Sequence, residues 1–206
     1  MDDVIDISFI IPCHNLELYI KPLLLSIQAL NLDNIKSEFL FVLDDCTDNT
    51  ENIINEYMSN FNYQILKCNV HSCGLARNVA LDQAQGTYIW FLDGDDWLIY
   101  PNALQDIIPI MNSEELNIIQ IKFISNYFNM EYFSMVWQYI YRRSFIGNLR
   151  FPSIQPNEDV VFNKKLLFAG EQSIELSYYP IPTYFYNYCR PNSNMSQYKQ
   201  NGEISE

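Results

Sequence analysis

Positive charge is scarce in this sequence of 206 residues, which has 12 Lys and Arg against 25 Asp and Glu and a formal net charge of −13 at pH 7. Nucleic-acid binding depends on clustered Lys and Arg that neutralise phosphates, so this balance argues against a nucleic-acid ligand. It also disfavours electrostatic docking on an anionic membrane. A phosphorylated ligand would need local positive charge, supplied by a metal ion and a few basic side chains.

The sequence also lacks the signatures of disulfide frameworks, zinc sites, membrane-spanning segments, signal peptides and dehydrogenases. The five cysteines show no CxxC spacing, so they predict reduced thiols rather than a disulfide framework or a zinc site. No apolar run reaches the ~20 residues that span a bilayer, and Asp2 and Asp3 stand where a signal peptide is basic. No GxGxxG follows the first apolar run, which argues against a dehydrogenase. We found no internal repeat or linker, so we expect one domain, residues 1–196, and a polar tail, 197–206.

Strands and helices alternate along the first half of the sequence. Short apolar runs predict buried strands at Ile7–Ile11, Phe39–Leu43 and Tyr88–Leu92, and a further strand is predicted at Tyr63–Cys68. Apolar residues at helical spacing predict four helices, at Leu16–Leu30, Thr50–Met58, Leu75–Gln85 and about Asn102–Met111, with Gly86 ending the third. This order predicts a Rossmann-like, doubly wound, mostly parallel sheet of the α/β class.

The regular alternation of strands and helices does not continue from residue 113 onward. We expect strands at Leu116–Ile124 and Ile174–Leu176, a helix at Asn157–Ala169, and a loop or edge strand at Pro180–Tyr188. The second half therefore predicts an elaborated subregion beside the alternating half.

Three carboxylates, Asp93, Asp95 and Asp96, follow the apolar run 88–92 within four positions. One carboxylate is enough to cap the next helix, so three at the end of a buried strand indicate a ligand. Carboxylate oxygens suit Mg²⁺ or Mn²⁺ better than zinc. Open α/β folds bind ligands at the carboxyl ends of their strands, so the cluster predicts a metal site at that edge.

Further candidates lie at or beside predicted strand ends and helix starts: His14, Asp44, Asp45, Arg77, Glu158 and Asp159. A structural interpretation stays open for each. The Asp residues can cap helices, Arg77 can pair with an Asp or lie on the surface, and Glu158 and Asp159 can form a solvated helix start. Trp137 is more often a core residue than a sugar platform.

The order of these segments is informative. The chain resembles the inverting family-2 glycosyltransferases with the GT-A fold. The resemblance is carried by residues 8–15, 41–50, 74–78, 86–96 and 157–162, followed by the aromatic run 184–186 and by 193–196. The resemblance covers most of the chain, from Ile7 to Ser196. It implies a nucleotide-sugar-binding half at about 1–112 and an acceptor-side half at 113–196.

The resemblance also implies roles for single residues. Pro12, His14 and Asn15 correspond to the loop that lines the base and ribose, and Asp44 and Asp45 to the acidic pair that accepts a hydrogen bond from the base, typically uracil. Arg77 corresponds to a residue that helps bind the nucleotide or orders the acidic motif.

In the acidic motif Asp93 corresponds to a ribose or metal contact, Asp95 to the metal ligand on the diphosphate, and Asp96 to a third carboxylate. Asp159 corresponds to the catalytic base and Glu158 to its acceptor-side neighbour. Trp137 is a further candidate residue for the acceptor side.

The function implied by the resemblance is sugar transfer. We expect a metal-dependent inverting hexosyl- or N-acetylhexosaminyltransferase that uses Mn²⁺ or Mg²⁺ and a nucleotide-sugar donor, with a UDP-sugar favoured. A glycan or lipid-linked acceptor in polysaccharide biosynthesis is expected, in the cytoplasm or peripherally at the inner face of the membrane. The alternative is a non-catalytic nucleotide-sugar-binding partner subunit. A nucleotidyltransferase or phosphatase would need a Gly-rich phosphate loop or a nucleophilic Asp signature, and neither is found.

Overall fold

The computed structural model describes residues 4–126, 135–154, 156–167, 177–188 and 191. Its strands are β1 (Ile7–Cys13), β2 (Ser37–Asp44), β3 (Tyr63–Cys68), β4 (Tyr88–Phe91), β5 (Trp97–Leu98), β6 (Ile118–Ser125), β7 (Tyr139–Arg142) and β8 (Ser177–Tyr186). Its helices are α1 (Lys21–Gln28), α2 (Thr50–Met58), α3 (Cys73–Leu81), α4 (Ala103–Ser113), α5 (Arg143–Ile146) and α6 (Glu158–Leu167), with a 3₁₀ turn at Val136–Gln138.

One mixed sheet contains all eight strands, in the order β3-β2-β1-β4-β7-β6-β8-β5. Strands β1 to β4 are parallel to one another, with Phe9 of β1 opposite Phe39 of β2 and Trp90 of β4. Strand β8 is parallel to β6, whereas β7 and β5 run antiparallel to their neighbours. Four of the seven neighbouring pairs are therefore parallel, which confirms the predicted α/β class and mostly parallel sheet.

Helices cover both faces of the sheet because successive residues of a strand point to opposite sides. Phe9 belongs to the core on one face, which also contains apolar residues of α1, α2 and α4. Ile10 belongs to the core on the other face, with apolar residues of α3 and α6. The predicted doubly wound arrangement is confirmed.

Trp137 lies in the core of the second half. Its side chain is 1% exposed, its ring stacks on those of Tyr184 and Tyr186, and its backbone oxygen accepts a hydrogen bond from Trp90. The structure therefore favours the core interpretation of Trp137, and its expected place on the acceptor side stays a prediction. Large aromatic side chains bury most of their area in cores, and this one does so under β8.

Several predicted boundaries differ from the structure. Helix α1 begins at Lys21 and not at Leu16, because the backbone oxygen of Leu16 closes a separate turn with Tyr19 and Ile20. Helix α3 ends at Leu81, so Gly86 does not end it. The Gly86 N–H instead donates to Ser8 Oγ, and a Cβ at this position would lie 2.4 Å from the backbone nitrogen of Ser8. Glycine is thus needed here for close approach of the chain to β1.

Strand β8 is longer and more central than expected. It spans ten residues and lies between β6 and β5, whereas the sequence predicted a loop or edge strand at Pro180–Tyr188. The predicted strand Ile174–Leu176 and the end of the predicted helix at Ala169 lie outside the described residues. The division into a 1–196 domain, with halves at about 1–112 and 113–196 and a 197–206 tail, stays a prediction.

Candidate active site

The predicted motifs meet at the carboxyl edge of β1, β2 and β4. His14 Nδ1, after β1, lies 2.6 Å from the backbone oxygen of Asp44, the last residue of β2. The first turns of α3 and α6 face the same edge, since a Cβ on Gly74 would lie 2.8 Å from Glu158 Cγ. Parallel strands place their carboxyl ends together, and this is the edge where open α/β sheets bind ligands. The structure therefore joins segments that are distant in sequence into one candidate site.

Arg77 links the two sides of this site. Its guanidinium contacts Asp93 at 2.7 Å and Glu158 at 3.3 Å, and it lies 5.5 Å above the Phe151 ring. The side chain is 4% exposed. Burial would lower the pKa of Arg77, but the charges of Asp93 and Glu158 outweigh it and hold that pKa above its ordinary value. Arg77 is thus a buried cation between two carboxylates, and not a surface residue.

Asp44 is a structural anchor. Its carboxylate accepts hydrogen bonds from the backbone N–H groups of Val70 (2.7 Å), His71 (3.1 Å) and Ser72 (3.0 Å). Burial would raise its pKa, but these bonds to the charged form outweigh burial and lower it. Both carboxylate oxygens are engaged by this loop.

Asp45 is the exposed member of the acidic pair. Its side chain is 45% exposed, and its carboxylate lies 3.9 Å from His71 Nε2. Asp45 and Asn15 both have positive φ, of 51° and 49°. Such conformations are uncommon for residues other than glycine and are often found at functional sites. The side chains of Asp45 and His14 are exposed at this edge of the sheet, while Pro12 is buried within β1.

Asp96 is buried and fully bonded. It is 1% exposed, and it accepts hydrogen bonds from the Tyr184 hydroxyl at 2.6 Å and the Asn187 backbone N–H at 2.8 Å. Burial, together with the charges of Asp95 and Asp93, raises the pKa of Asp96 well above its ordinary value. Both oxygens of Asp96 have protein partners, which favours a structural role for this residue, and its expected metal contact stays a prediction.

Asp93 and Asp95 remain the candidate metal ligands. Both are partly exposed at the end of β4. Within the described residues no group of three or more His, Cys, Asp or Glu is arranged to hold a metal ion. Mg²⁺ is usually bound by one or two carboxylates plus substrate phosphates, and not by an all-protein cage. The donor set at this site fits that pattern.

Asp159 is a buried carboxylate next to the Arg77 pair. It is 8% exposed, and burial raises its pKa to about 6, partly opposed by the charge of Arg77 and reinforced by Glu158. A general base is most effective when its pKa lies near the working pH. The environment of Asp159 therefore suits proton abstraction.

Tyr184 and Asn187 are site residues that residue-level reasoning did not select. Tyr184 lies within the aromatic run 184–186, which is part of the family resemblance, but the pattern gave no sign of its bonds to the acidic loop. The Cys13 and Cys73 thiols also lie near the site, and burial raises the pKa of Cys13 well above its ordinary value and that of Cys73 to about 12. Within the part of the chain that the structure describes, no disulfide joins Cys13, Cys46, Cys68 or Cys73.

The fold and the site define the class: a doubly wound α/β sheet with a carboxylate-lined ligand edge, as in the GT-A fold. Residues 8–166 match the family model described as Glycosyl transferase family 2. The chain belongs to this family. Within the described residues, none of the helices combines the length and apolar character needed to cross a bilayer.

A sequence relative is the poly(ribitol-phosphate) β-N-acetylglucosaminyltransferase TarS of Staphylococcus aureus, 37% identical over 119 residues, which cover 56% of this chain and 20% of TarS. The solved structure of S. aureus TarS 1–349 with UDP-GlcNAc superposes with a TM-score of 0.82 at 24% identity, over 93% of this chain and 61% of that one.

A mannosyltransferase from Pyrobaculum calidifontis, solved with GDP-Man and Mn²⁺, gives a TM-score of 0.70 at 14% identity, over 97% of this chain and 65% of that one. The two structural likenesses show the fold alone. The chain spans less than two thirds of each of these proteins.

Proposed function

We propose that this chain is a metal-dependent inverting glycosyltransferase, which moves a sugar from a nucleoside-diphosphate donor to an acceptor hydroxyl. The single observation that carries the proposal is the Arg77 bridge. One buried guanidinium joins Asp93, on the expected donor side, to Glu158, on the expected acceptor side, with Asp159 adjacent to Glu158. Donor and acceptor groups of the expected reaction therefore share one site.

Donor binding is assigned to the edge of β1, β2 and β4. His14, Asn15 and the exposed Asp45 would line the base and ribose, with Pro12 as the rigid residue beneath them. Asp95 and Asp93 would hold Mn²⁺ or Mg²⁺ together with the donor diphosphate. Such an ion offsets the negative charge on a leaving diphosphate.

Asp159 is assigned as the general base. It takes the proton of the acceptor hydroxyl while that oxygen attacks the anomeric carbon and the bond to the diphosphate breaks. One displacement inverts the configuration at that carbon. Support comes from the position of Asp159 in the first turn of α6 and from its pKa of about 6.

The favoured donor is a UDP-sugar, and within that class UDP-N-acetylglucosamine. Support comes from the name of TarS and from its solved complex with UDP-GlcNAc. The complex of the Pyrobaculum enzyme with GDP-Man shows that the same fold also accepts another nucleotide. The acceptor is proposed to be a glycan or a polyol-phosphate polymer, free or lipid-linked, in surface-polysaccharide assembly at the cytoplasmic side of the membrane.

The proposed reaction is tested by measuring transfer and donor hydrolysis with UDP-N-acetylglucosamine and Mn²⁺ for wild type and two matched variants. Asp159→Asn should lower turnover by about 10³-fold or more because the base is lost, while donor affinity is retained. Asp33→Asn makes the same chemical change on an exposed loop before β2, at the opposite edge, and should leave turnover unchanged. Full turnover in Asp159→Asn would refute the assignment. Donor binding by wild type with neither transfer nor hydrolysis would favour the non-catalytic partner subunit.

A further inference from the structure

The acidic loop Asp93–Asp96 is bonded to β8, which lies beyond the family-matched residues 8–166. The Tyr184 hydroxyl accepts a hydrogen bond from the Asp93 N–H at 3.1 Å and donates one to Asp96 Oδ2 at 2.6 Å. The Tyr184 ring is 0% exposed and stacks on Trp137 at 4.7 Å. A single rigid side chain therefore fixes both ends of the loop.

Asn187, the residue after β8, makes two further bonds to the same loop. Its backbone N–H donates to Asp96 Oδ1 at 2.8 Å, and its side-chain amide donates to the backbone oxygen of Asp95 at 3.3 Å. Each of the three acidic residues is thus bonded to Tyr184, to Asn187 or to both. A buried carboxylate such as Asp96 costs free energy unless it is hydrogen-bonded, so this arrangement depends on β8.

The opposite side of the loop is also constrained. A Cβ on Gly94 would lie 2.4 Å from Leu16 Cδ1, so the loop packs closely against the turn after β1. Asp93 is held by Arg77 at 2.7 Å. Backbone conformation across the loop is therefore determined by contacts on three sides, from β8, from α3 and from the turn after β1.

We propose that Tyr184 and Asn187 are positioning residues of the donor site, which hold the Asp93–Asp96 loop in the conformation that binds the donor diphosphate. This inference rests on the proposed function. Preorganised binding groups need supporting residues that fix their orientation, since small displacements of such groups reduce affinity and rate. Strand β8 is accordingly part of the donor site, because it contacts the acidic loop from the core side.

The first test measures backbone hydrogen exchange of residues 93–97 without donor or metal. Tyr184→Phe removes one hydroxyl and keeps the stacked ring, and it should speed exchange of this loop by about tenfold or more because the Asp93 N–H loses its acceptor. Tyr88→Phe is the matched control, since it removes another buried hydroxyl, bonded 2.6 Å from Asn112 Oδ1 on α4. This control should leave exchange of the loop unchanged. Unchanged exchange in Tyr184→Phe would overturn the inference.

The second test measures, by calorimetry, binding of UDP-N-acetylglucosamine in the presence of Mn²⁺. Tyr184→Phe should weaken binding by about tenfold or more and Asn187→Ala by about threefold or more, while Tyr88→Phe binds as wild type does. Asn187 is partly exposed, so Asn187→Ala serves where Tyr184→Phe does not fold. Wild-type affinity in both variants would overturn the inference. Absence of donor binding in wild type would instead refute the proposed function, and the exchange experiment would then still decide whether β8 orders the loop.

Discussion

At the scale of single residues, the environment of a carboxylate decides what it can do. Asp44, Asp96 and Asp159 are all buried, but their partners differ. Three backbone N–H groups lower the pKa of Asp44, whereas burial raises the pKa of Asp159 to about 6. The same side chain thus serves as an anchor in one place and as a candidate base in another.

Asp159 should reduce the stability of the folded chain at neutral pH. Its folded pKa of about 6 lies above the ordinary 3.8, so the unfolded chain releases this proton first as the pH rises. Stability contributed by the protonated form is therefore present at low pH and lost as the pH rises through about 6. Asp159→Asn keeps the neutral form, so it should raise the free energy of unfolding at about pH 7.5 by about 1–3 kcal/mol.

Urea unfolding of wild type and Asp159→Asn at about pH 5 and about pH 7.5 measures this effect. We expect the advantage of the variant to be smaller at the lower pH. Asp33→Asn, the exposed control, should show no such pH-dependent advantage. Equal or lower stability of Asp159→Asn at the higher pH would contradict the assigned environment.

At the scale of elements, the site depends on how α3 and α6 approach each other. Gly74 in the first turn of α3 allows Glu158 in the first turn of α6 to lie against it, and Arg77 then reaches both Glu158 and Asp93. The Arg77 guanidinium also lies over the face of the Phe151 ring, and that ring stacks on Phe162 of α6. Helix packing and ion pairing are therefore coupled at this junction.

Arg77→Ala should strongly destabilise the chain. Removing the cation leaves two carboxylates without their partner in a largely buried setting, which typically costs about 3–5 kcal/mol. Arg150→Ala is the control, because its ion pair with Asp82 is exposed, at 35% and 59% of the two side chains. Such a surface pair is worth about 0–1 kcal/mol. Urea unfolding at neutral pH compares the two variants, and similar losses for both would contradict the role of Arg77 as a buried bridge.

At the scale of the whole molecule, the sequence predicted those features that depend on neighbours in the chain. Alternating apolar runs and helical spacing were enough for the α/β class and the first four strands. The grouping of Asp45, Asp93 and Asp159 in one site was implied by the family resemblance. The boundary errors at α1 and α3 arose because local turns, at Leu16–Ile20 and after Leu81, continue the helical spacing without continuing the helix.

The remaining features depend on contacts between distant residues. Asp96 bonds to Tyr184, 88 positions later, and Asp44 bonds to Ser72, 28 positions later. No local pattern shows that these two carboxylates are bonded to the protein rather than available to a ligand. The burial of Trp137 likewise depends on β8, whose central place in the sheet the sequence did not reveal.

We propose that this chain, with a net charge of −13, binds a negatively charged donor through a metal held at the carboxyl edge of its sheet. Calorimetric titration of the full chain with UDP-N-acetylglucosamine, with Mn²⁺ and then with a chelator, tests this claim most directly. We predict binding with Mn²⁺ that weakens by about tenfold or more in the chelator and in Asp95→Asn, because the carboxylate and the ion act together. Equal binding with and without the metal, or no binding of the donor under either condition, would contradict it.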